Sequence, residues 1–367
     1  MKIICKRQSL VEAVSNVQRA VSSKSTLPAL EGILLKTNSQ AVELCGYDLE
    51  LGITTFIKAE VQEEGEIVLS AKLFSDIVRR LPGDSVTITV DEKLIVGIQS
   101  GVAEFSIVGI PSSEYPELPS VTGATQLSMT HALLKSMIKQ TLFAVADTDS
   151  KPIHTGTLFE IQGGVIRLVS VDGYRLALRR ENVNCEEELH FVVPGKTLGE
   201  VLKLLSDEEK TLSISVGRRH IIFEINEYSV ISRLLDGEFL DYNAAIPASF
   251  TTEVDVQTRS FIDSVERVSL LITDRLKSPV RCIFDDGEVK ISCTTSIGKA
   301  NDELMAAIRG DSVEIGFNNR YLLDALRNTD TDEVKVQLNG PLSPMKVVPK
   351  EGDSFLFLVL PVRLKAE

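Results

Sequence analysis

The sequence contains no tryptophan, and phenylalanine and tyrosine bring its aromatic share to only 5% of 367 residues. That excludes the aromatic platforms on which single-stranded nucleic acid stacks, because each base needs a ring face beneath it. Histidine is scarce too. His131, His154, His190 and His220 form no HExxH helix and no zinc-binding spacing with cysteine. Five cysteines (Cys5, Cys45, Cys185, Cys282, Cys293) lie far apart and are odd in number, which fits reduced thiols in a cytoplasmic protein rather than a disulfide framework. No apolar run approaches the ~20 residues needed to span a bilayer. The opening MKIICKRQSLVEAV turns charged too soon for a secretory signal. These absences point to a cytoplasmic protein without a membrane partner.

Catalytic constellations are missing as well. PGKT at 194–197 looks like the end of a phosphate-binding loop, but the first glycine of such a loop would fall at His190. Asp147 with Asp149, and Asp330 with Asp332, form Asp-Thr-Asp strings in polar turns after helices, which reads as solvated turn chemistry. No nucleophile elbow or acid/base pair is present. The expectation is a protein with no catalytic residue, no metal and no cofactor.

What is present is a repeat. AKLFSDIVRRL (71–81), GKTLGEVLKLL (195–205) and NRYLLDALRNT (319–329) align as one amphipathic helix at a period of 124 residues. Lys72, Lys196 and Arg320 keep that period, as do Phe74, Leu198 and Leu322, and Val78, Leu202 and Leu326. Apolar residues at i, i+3 and i+4 mark the buried face, and the basic residue opens the helix away from it. A second helix repeats with the same spacing in segments 9–21, 133–145 and 258–270, where Val14, Ile138 and Ile262 correspond, as do Ala13, Met137 and Phe261. Five registers sharing one period identify three homologous domains, expected over 1–124, 125–250 and 251–367. Alternating segments between the helices, such as SVTITV, TLSISV and EVKVQL, read as strands. Each domain is therefore α+β, two helices packed on mostly antiparallel sheet.

The formal charge is −13, which alone argues against nucleic acid. Its distribution argues otherwise. The six predicted helices together carry +6, leaving −19 on the remainder. Basic helices on an acidic body suit a surface that meets phosphate while the exterior repels it. The candidate DNA-binding residues are Lys72, Arg79, Arg80, Lys135, Lys139, Lys196, Lys203 and Arg320, with Lys24 and Lys151 in nearby loops. Arg275 and Lys277 could extend the set. Contact would be with the duplex backbone and independent of base sequence. A repeat-built DNA-modifying enzyme would need the metal or phosphate site that is missing. An adaptor for proteins alone would retain no DNA.

STLPALEGILL (25–35), YDLE (47–50), VDGYRLA (171–177), LLDGEFLDY (234–242) and LVLPVRL (358–364) resemble the bacterial DNA polymerase III beta subunit family along the whole chain. The resemblance implies a DNA sliding clamp: a non-enzymatic homodimer of three-domain crescents, joined head to tail around double-stranded DNA. Twelve helices about 10 Å wide enclose a circumference of about 120 Å and a clear width of roughly 28 Å, whereas six would leave only about 9 Å. A duplex of about 20 Å therefore needs two copies.

For the dimer interface the resemblance implies Phe105, on an edge strand EFSIV (104–108), against Leu270, Leu271 and Ile272. Ala103 and Glu104 stand where many relatives carry arginine. A peptide-binding pocket for the replicative polymerase, the clamp loader, other polymerases and repair proteins is implied too. Its residues would be Val171, Gly173, Tyr174, Arg175 and Leu176, then Leu240, Ala244 and Ala245, and Leu358, Leu360, Pro361, Val362, Arg363 and Leu364. Leu342 and Pro344 would line the far wall. An apolar groove with few polar groups suits a Leu- or Phe-containing peptide, with Arg175 reaching its polar groups. His154 replaces a usual Leu and Ala244 an Arg found in some relatives. Lys365, Ala366 and Glu367 extend past the usual terminus.

Overall fold

Alternating apolar residues and helical apolar triplets resolve, in a computed structural model describing residues 1–148, 151–273, 275–276 and 278–364, into 25 strands and six α-helices. The first repeat runs β1 (Lys2–Lys6), α1 (Arg7–Val17), β2 (Gly32–Asn38), β3 (Ala41–Tyr47) and β4 (Leu51–Glu63). It continues through β5 (Glu66–Ser70), α2 (Ala71–Arg80), β6 (Ser85–Val90), β7 (Ile95–Ser100) and β8 (Ala103–Val108). The second comprises β9 (Thr125–Thr130), α3 (His131–Leu142), β10 (Gly156–Gln162), β11 (Val165–Val171) and β12 (Arg175–Asn182). After these come β13 (Leu189–Pro194), α4 (Gly195–Leu204), β14 (Thr211–Val216), β15 (His220–Ile225) and β16 (Tyr228–Arg233). The third opens with β17 (Thr252–Gln257), α5 (Thr258–Ser269), β18 (Val280–Asp285), β19 (Glu288–Thr295) and β20 (Gly298–Met305). It ends with β21 (Ala307–Gly310), β22 (Val313–Phe317), α6 (Asn319–Arg327), β23 (Glu333–Leu338), β24 (Met345–Pro349) and β25 (Phe355–Val359).

All strand pairing is antiparallel among the described residues. The chain divides into two compact units: Met1–His131 with Lys203–Leu234, and Ala132–Leu202 with the chain from Leu235 onward. Repeat and unit differ because sheets run from one repeat into the next. In the first unit β4 pairs with β16, matching Ile53 to Val230. In the second unit β12 pairs with β25, matching Leu176 to Leu358. The middle repeat thus shares sheet with each neighbour.

The helices form for the reasons the apolar spacing suggests. Phe74, Ile77 and Val78 of α2 are buried while Lys72, Arg79 and Arg80 stay exposed. α2 stops at Leu81, which is extended because the following Pro82 disfavours helical backbone there. α6 buries Leu322, Leu323, Ala325 and Leu326, and its Asn318 cap accepts the Arg320 N–H at 2.9 Å. α1 ends sooner than its apolar pattern predicts: after Val17 the chain tightens into a single 3-10 turn, Gln18–Ala20. In each unit the helix pair packs on sheet, α1 with α2 in the first and α5 with α6 in the second. The third-repeat core gathers Phe261, Phe284, Phe317, Phe355 and Phe357, all fully buried. No described helix is long and apolar enough to cross a membrane.

Candidate nucleic-acid interface and peptide groove

Helix geometry puts the candidate cations outside the cores. Lys24, Lys72, Arg79, Arg80, Lys139, Lys151, Lys196, Lys203 and Arg320 are exposed, and Lys135 is half-buried on α3. Their surroundings differ. Arg80 pairs with Asp76 one turn back at 3.1 Å, and Arg79 donates to the Ser15 hydroxyl at 3.3 Å. Lys24, Lys72, Lys139 and Lys151 have no ion pair among the described residues. Arg275 is exposed, whereas Lys277 lies outside the described residues, as do Asp149 and the tail Lys365, Ala366 and Glu367. Among the described residues no three His, Cys, Asp or Glu side chains approach closely enough to hold a metal ion. The thiols of Cys5, Cys45 and Cys282 are pushed up to about 12 by burial.

The expected peptide residues fall into three groups within the second unit. Val171, Leu176 and Leu358 are buried in an apolar cluster with Ile153, Phe239 and Tyr242, and Leu240 packs at its edge. His154 sits beside that cluster with its ring edge-on to Phe239, centroids 5.5 Å apart. Burial lowers its pKa, and the neighbouring Lys151 lowers it further. Ala244 and Ala245 are exposed in the short 3-10 turn Asn243–Ala245.

The second group surrounds a cleft of about 790 Å³ lined by Arg175, Ile272, Asn318, Tyr321, Asp324 and Val362 among others. Gly173 reaches φ +89°, the left-handed region where glycine is preferred, and so lets the 172–174 turn reverse. Asp172 accepts the N–H groups of Tyr174 at 2.9 Å and Arg175 at 3.0 Å. Tyr174 is exposed and stacks on Tyr321 at 5.7 Å, while its carbonyl accepts the Leu360 N–H at 2.9 Å.

A third group lines a second cleft of about 770 Å³, where Leu342, Val362, Arg363 and Leu364 face β22. The terminal segment docks there through Val362 N–H to the Gly316 carbonyl at 2.8 Å. A Cβ at Gly316 would lie 2.6 Å from the Val362 oxygen, so only glycine admits the segment this closely. Val362 lines both clefts. Pro361 and Pro344 are half-buried, and Leu360 is 38% exposed.

One arrangement differs from the sequence reading. Instead of reaching toward a ligand, the Arg175 guanidinium is bound by Asp172 at 2.8 Å and by Asp324, beneath the Tyr321 ring at 4.6 Å. Two carboxylates and an aromatic face already satisfy it. Periodicity alone does not single out Tyr321 and Asp324; their i, i+3 spacing, which puts both on one helix face, was the available signal.

The remaining candidates sit at open edges. β8 ends its sheet, with Phe105 and Val108 exposed. β20 ends another, a four-stranded sheet in the order β20-β19-β18-β22. Leu270 is 80% exposed at the end of α5, Leu271 is half-buried, and Ile272 packs partly against the third-repeat core.

A threefold α+β repeat, its helix pairs carrying exposed cations and its sheets passing between repeats, defines a three-domain DNA clamp. Three family profiles match in order: the N-terminal domain of the DNA polymerase III beta subunit over 1–119, the central domain over 128–241 and the C-terminal domain over 243–363. The chain belongs to the DNA polymerase III beta subunit family. It is 33% identical to the beta sliding clamp of Bacillus subtilis (strain 168), covering 99% of this chain and 100% of that one. To the beta sliding clamp of Staphylococcus aureus (strain Mu50 / ATCC 700699) it is 31% identical, with 99% of both covered. The crystal structure of the Bacillus subtilis DNA polymerase sliding clamp superimposes at a TM-score of 0.96, with 32% identity and all of both chains covered. The beta subunit of Streptococcus pyogenes DNA polymerase gives 0.94 at 27% identity, covering 99% of this chain and 100% of that one.

Proposed function

We infer that this chain is a DNA sliding clamp, the non-catalytic processivity factor of the replicative DNA polymerase, working in the cytoplasm as a dimeric ring around duplex DNA. The way the repeats join supports this most. β4 and β12 begin one repeat apart, at Leu51 and Arg175, and one repeat further on Lys299 lies in β20. β8, β16 and β25 follow one another at similar spacing. Within the chain, β4 pairs with β16 and β12 with β25. The members left over are β20 and β8, both edges. An unpaired edge is a template for another strand. A third junction of the same kind therefore joins β20 of one copy to β8 of the next, a head-to-tail contact that closes into a ring when its rotation is right. Phe105 on one side and Leu270, Leu271 and Ile272 on the other supply its apolar contacts.

The domains would be 1–124, 125–250 and 251–367. Lys24, Lys72, Arg79, Arg80, Lys135, Lys139, Lys151, Lys196, Lys203 and Arg320 face the DNA backbone without reading sequence, and the acidic remainder keeps DNA off the exterior. The pocket residues and clefts take short peptides from the polymerase catalytic subunit, the clamp loader, other polymerases and repair proteins. The test compares retention on closed circular and linear DNA at high salt after loading. Topological binding survives salt on the circle and is lost through free ends; equal salt-sensitive release from both would refute it.

A further inference from the structure

The turn between β11 and β12 and the helix α6 come from different repeats, yet a single guanidinium holds them together. Arg175 donates from Nε to Asp172 at 2.8 Å and from Nη1 to Asp324, 149 residues away. Its flat face lies over the Tyr321 ring at 4.6 Å, and Phe143 approaches at 5.7 Å. The side chain is 10% exposed, so water does little to replace a lost partner.

Asp172 is committed locally, because it also accepts the two N–H groups of its own turn. Asp324 is the carboxylate that reaches the arginine from α6. One helical turn before it, Tyr321 carries the ring that stacks on Tyr174, whose carbonyl in turn holds Leu360. The ion pair joins the 172–175 turn to α6, and Tyr174 of that turn ties in the terminal segment.

We propose that Asp324 is a positioning residue for peptide binding: by holding Arg175 it locks these three walls in register and keeps the guanidinium away from the ligand. This rests on the reading of the clefts as a peptide groove. Removing the Asp324 carboxylate leaves Arg175 hydrogen-bonded only within its own turn, so its hold on α6 is reduced to the Tyr321 ring contact. It also releases a planar donor set that accepts carboxylates well. A loss of general affinity accompanied by a gain for acidic ligands follows, and that pair of changes distinguishes repositioning from simple unfolding.

The experiment uses fluorescence anisotropy on the full-length protein with a labelled Leu- and Phe-containing peptide, in one form carrying Asp and in another carrying Asn at the same position. Asp324→Ala is expected to weaken the Asn form about tenfold and the Asp form distinctly less, with a modest fall in melting temperature because Arg175 keeps Asp172. Asp324→Glu should restore most of the affinity. Arg175→Ala combined with Asp324→Ala should bind no more weakly than Arg175→Ala alone, since both act through one contact. Wild-type affinity in Asp324→Ala, or equal weakening of both peptides, overturns the assignment. If neither peptide binds the wild-type protein, the groove reading fails and the positioning role falls with it.

Discussion

In the first repeat, α2 exposes Lys72 with no ion-pair partner among the described residues, and Arg79 is held only by a hydroxyl. In the third repeat, Arg259, Arg267 and Arg327 each meet a carboxylate: Asp263 at 2.9 Å, Asp302 at 2.6 Å and Glu266 at 2.7 Å. On α2 Arg80 alone meets a carboxylate among the described residues, Asp76 at 3.1 Å, so the same helix pair settles its charge differently in the two repeats. Exposed ion pairs add little to stability, with a median of about 0–1 kcal/mol. They do cancel the field that a phosphate would feel. On the proposed reading, a phosphate would feel the unpaired Lys72 more strongly than Arg259, Arg267 or Arg327, each already beside a carboxylate.

The two repeats also differ in which edge they leave open, and breaking that difference should have the largest effect. Phe105→Asp on β8 or Leu270→Asp after α5 puts a charge into the proposed contact between copies. Both residues are exposed in the single chain, so folding should survive. Loss of a central apolar anchor at an interface costs about 2 kcal/mol or more. Light scattering should show the mass fall from dimer to monomer, with retention on circular DNA disappearing alongside. An unchanged dimer would mean that these edges are not the junction.

Next in size is the charge comparison itself. Each phosphate contact contributes about 0.9 to the slope of log affinity against log salt. Lys72→Ala with Arg79→Ala should therefore lower that slope by roughly 1 to 2, measured by equilibrium binding to a short duplex. Arg259→Ala, Arg267→Ala and Arg327→Ala together should change it far less. Equal effects from the two sets would remove the distinction between the repeats.

Much of this was legible from periodicity. The 124-residue spacing of Phe74, Leu198 and Leu322 located three helices, all of them buried on that face. The same method overlooked β20, because Lys299, Asn301, Asp302 and Glu303 give a strand without an apolar stripe. Only Ala300 and Leu304 of β20 turn inward onto the core, with Asp302 between them, so its alternation is too short and too polar to stand out. The groove was legible as a set of short strings but not as an arrangement. The partnership of Arg175 with Asp324 spans 149 residues and leaves no local signature, so the sequence does not reveal it. Local pattern reports which face is buried; it does not report which distant polar groups satisfy each other.

The smallest expected effect separates the two units by their histidines. His154 in the second unit and His220 in the first both have pKa values lowered by burial, assisted by Lys151 in one case and by Arg233 and Arg219 in the other. A histidine held neutral in the folded protein binds fewer protons than in the unfolded chain, so stability rises with pH across the interval between the two values. Acidification from above the ordinary value of 6.5 should therefore destabilise the protein until the lowered value is passed, and no further on this account. Glu253, its carboxylate held low by Arg309, loses its contribution only as acidification passes its ordinary value of 4.5, so a comparison of about pH 7.5 with about pH 5.5 reads mainly the histidines. His154→Leu should remove part of the dependence, seen as a smaller difference between urea midpoints at about pH 7.5 and about pH 5.5. A further part should be lost when His220 is also replaced. Because His154 lies at the groove and His220 in the other unit, only His154→Leu should also shift peptide preference, toward a more apolar residue at that end. An acid dependence untouched by His154→Leu would show that burial beside Phe239 does not hold the imidazole neutral.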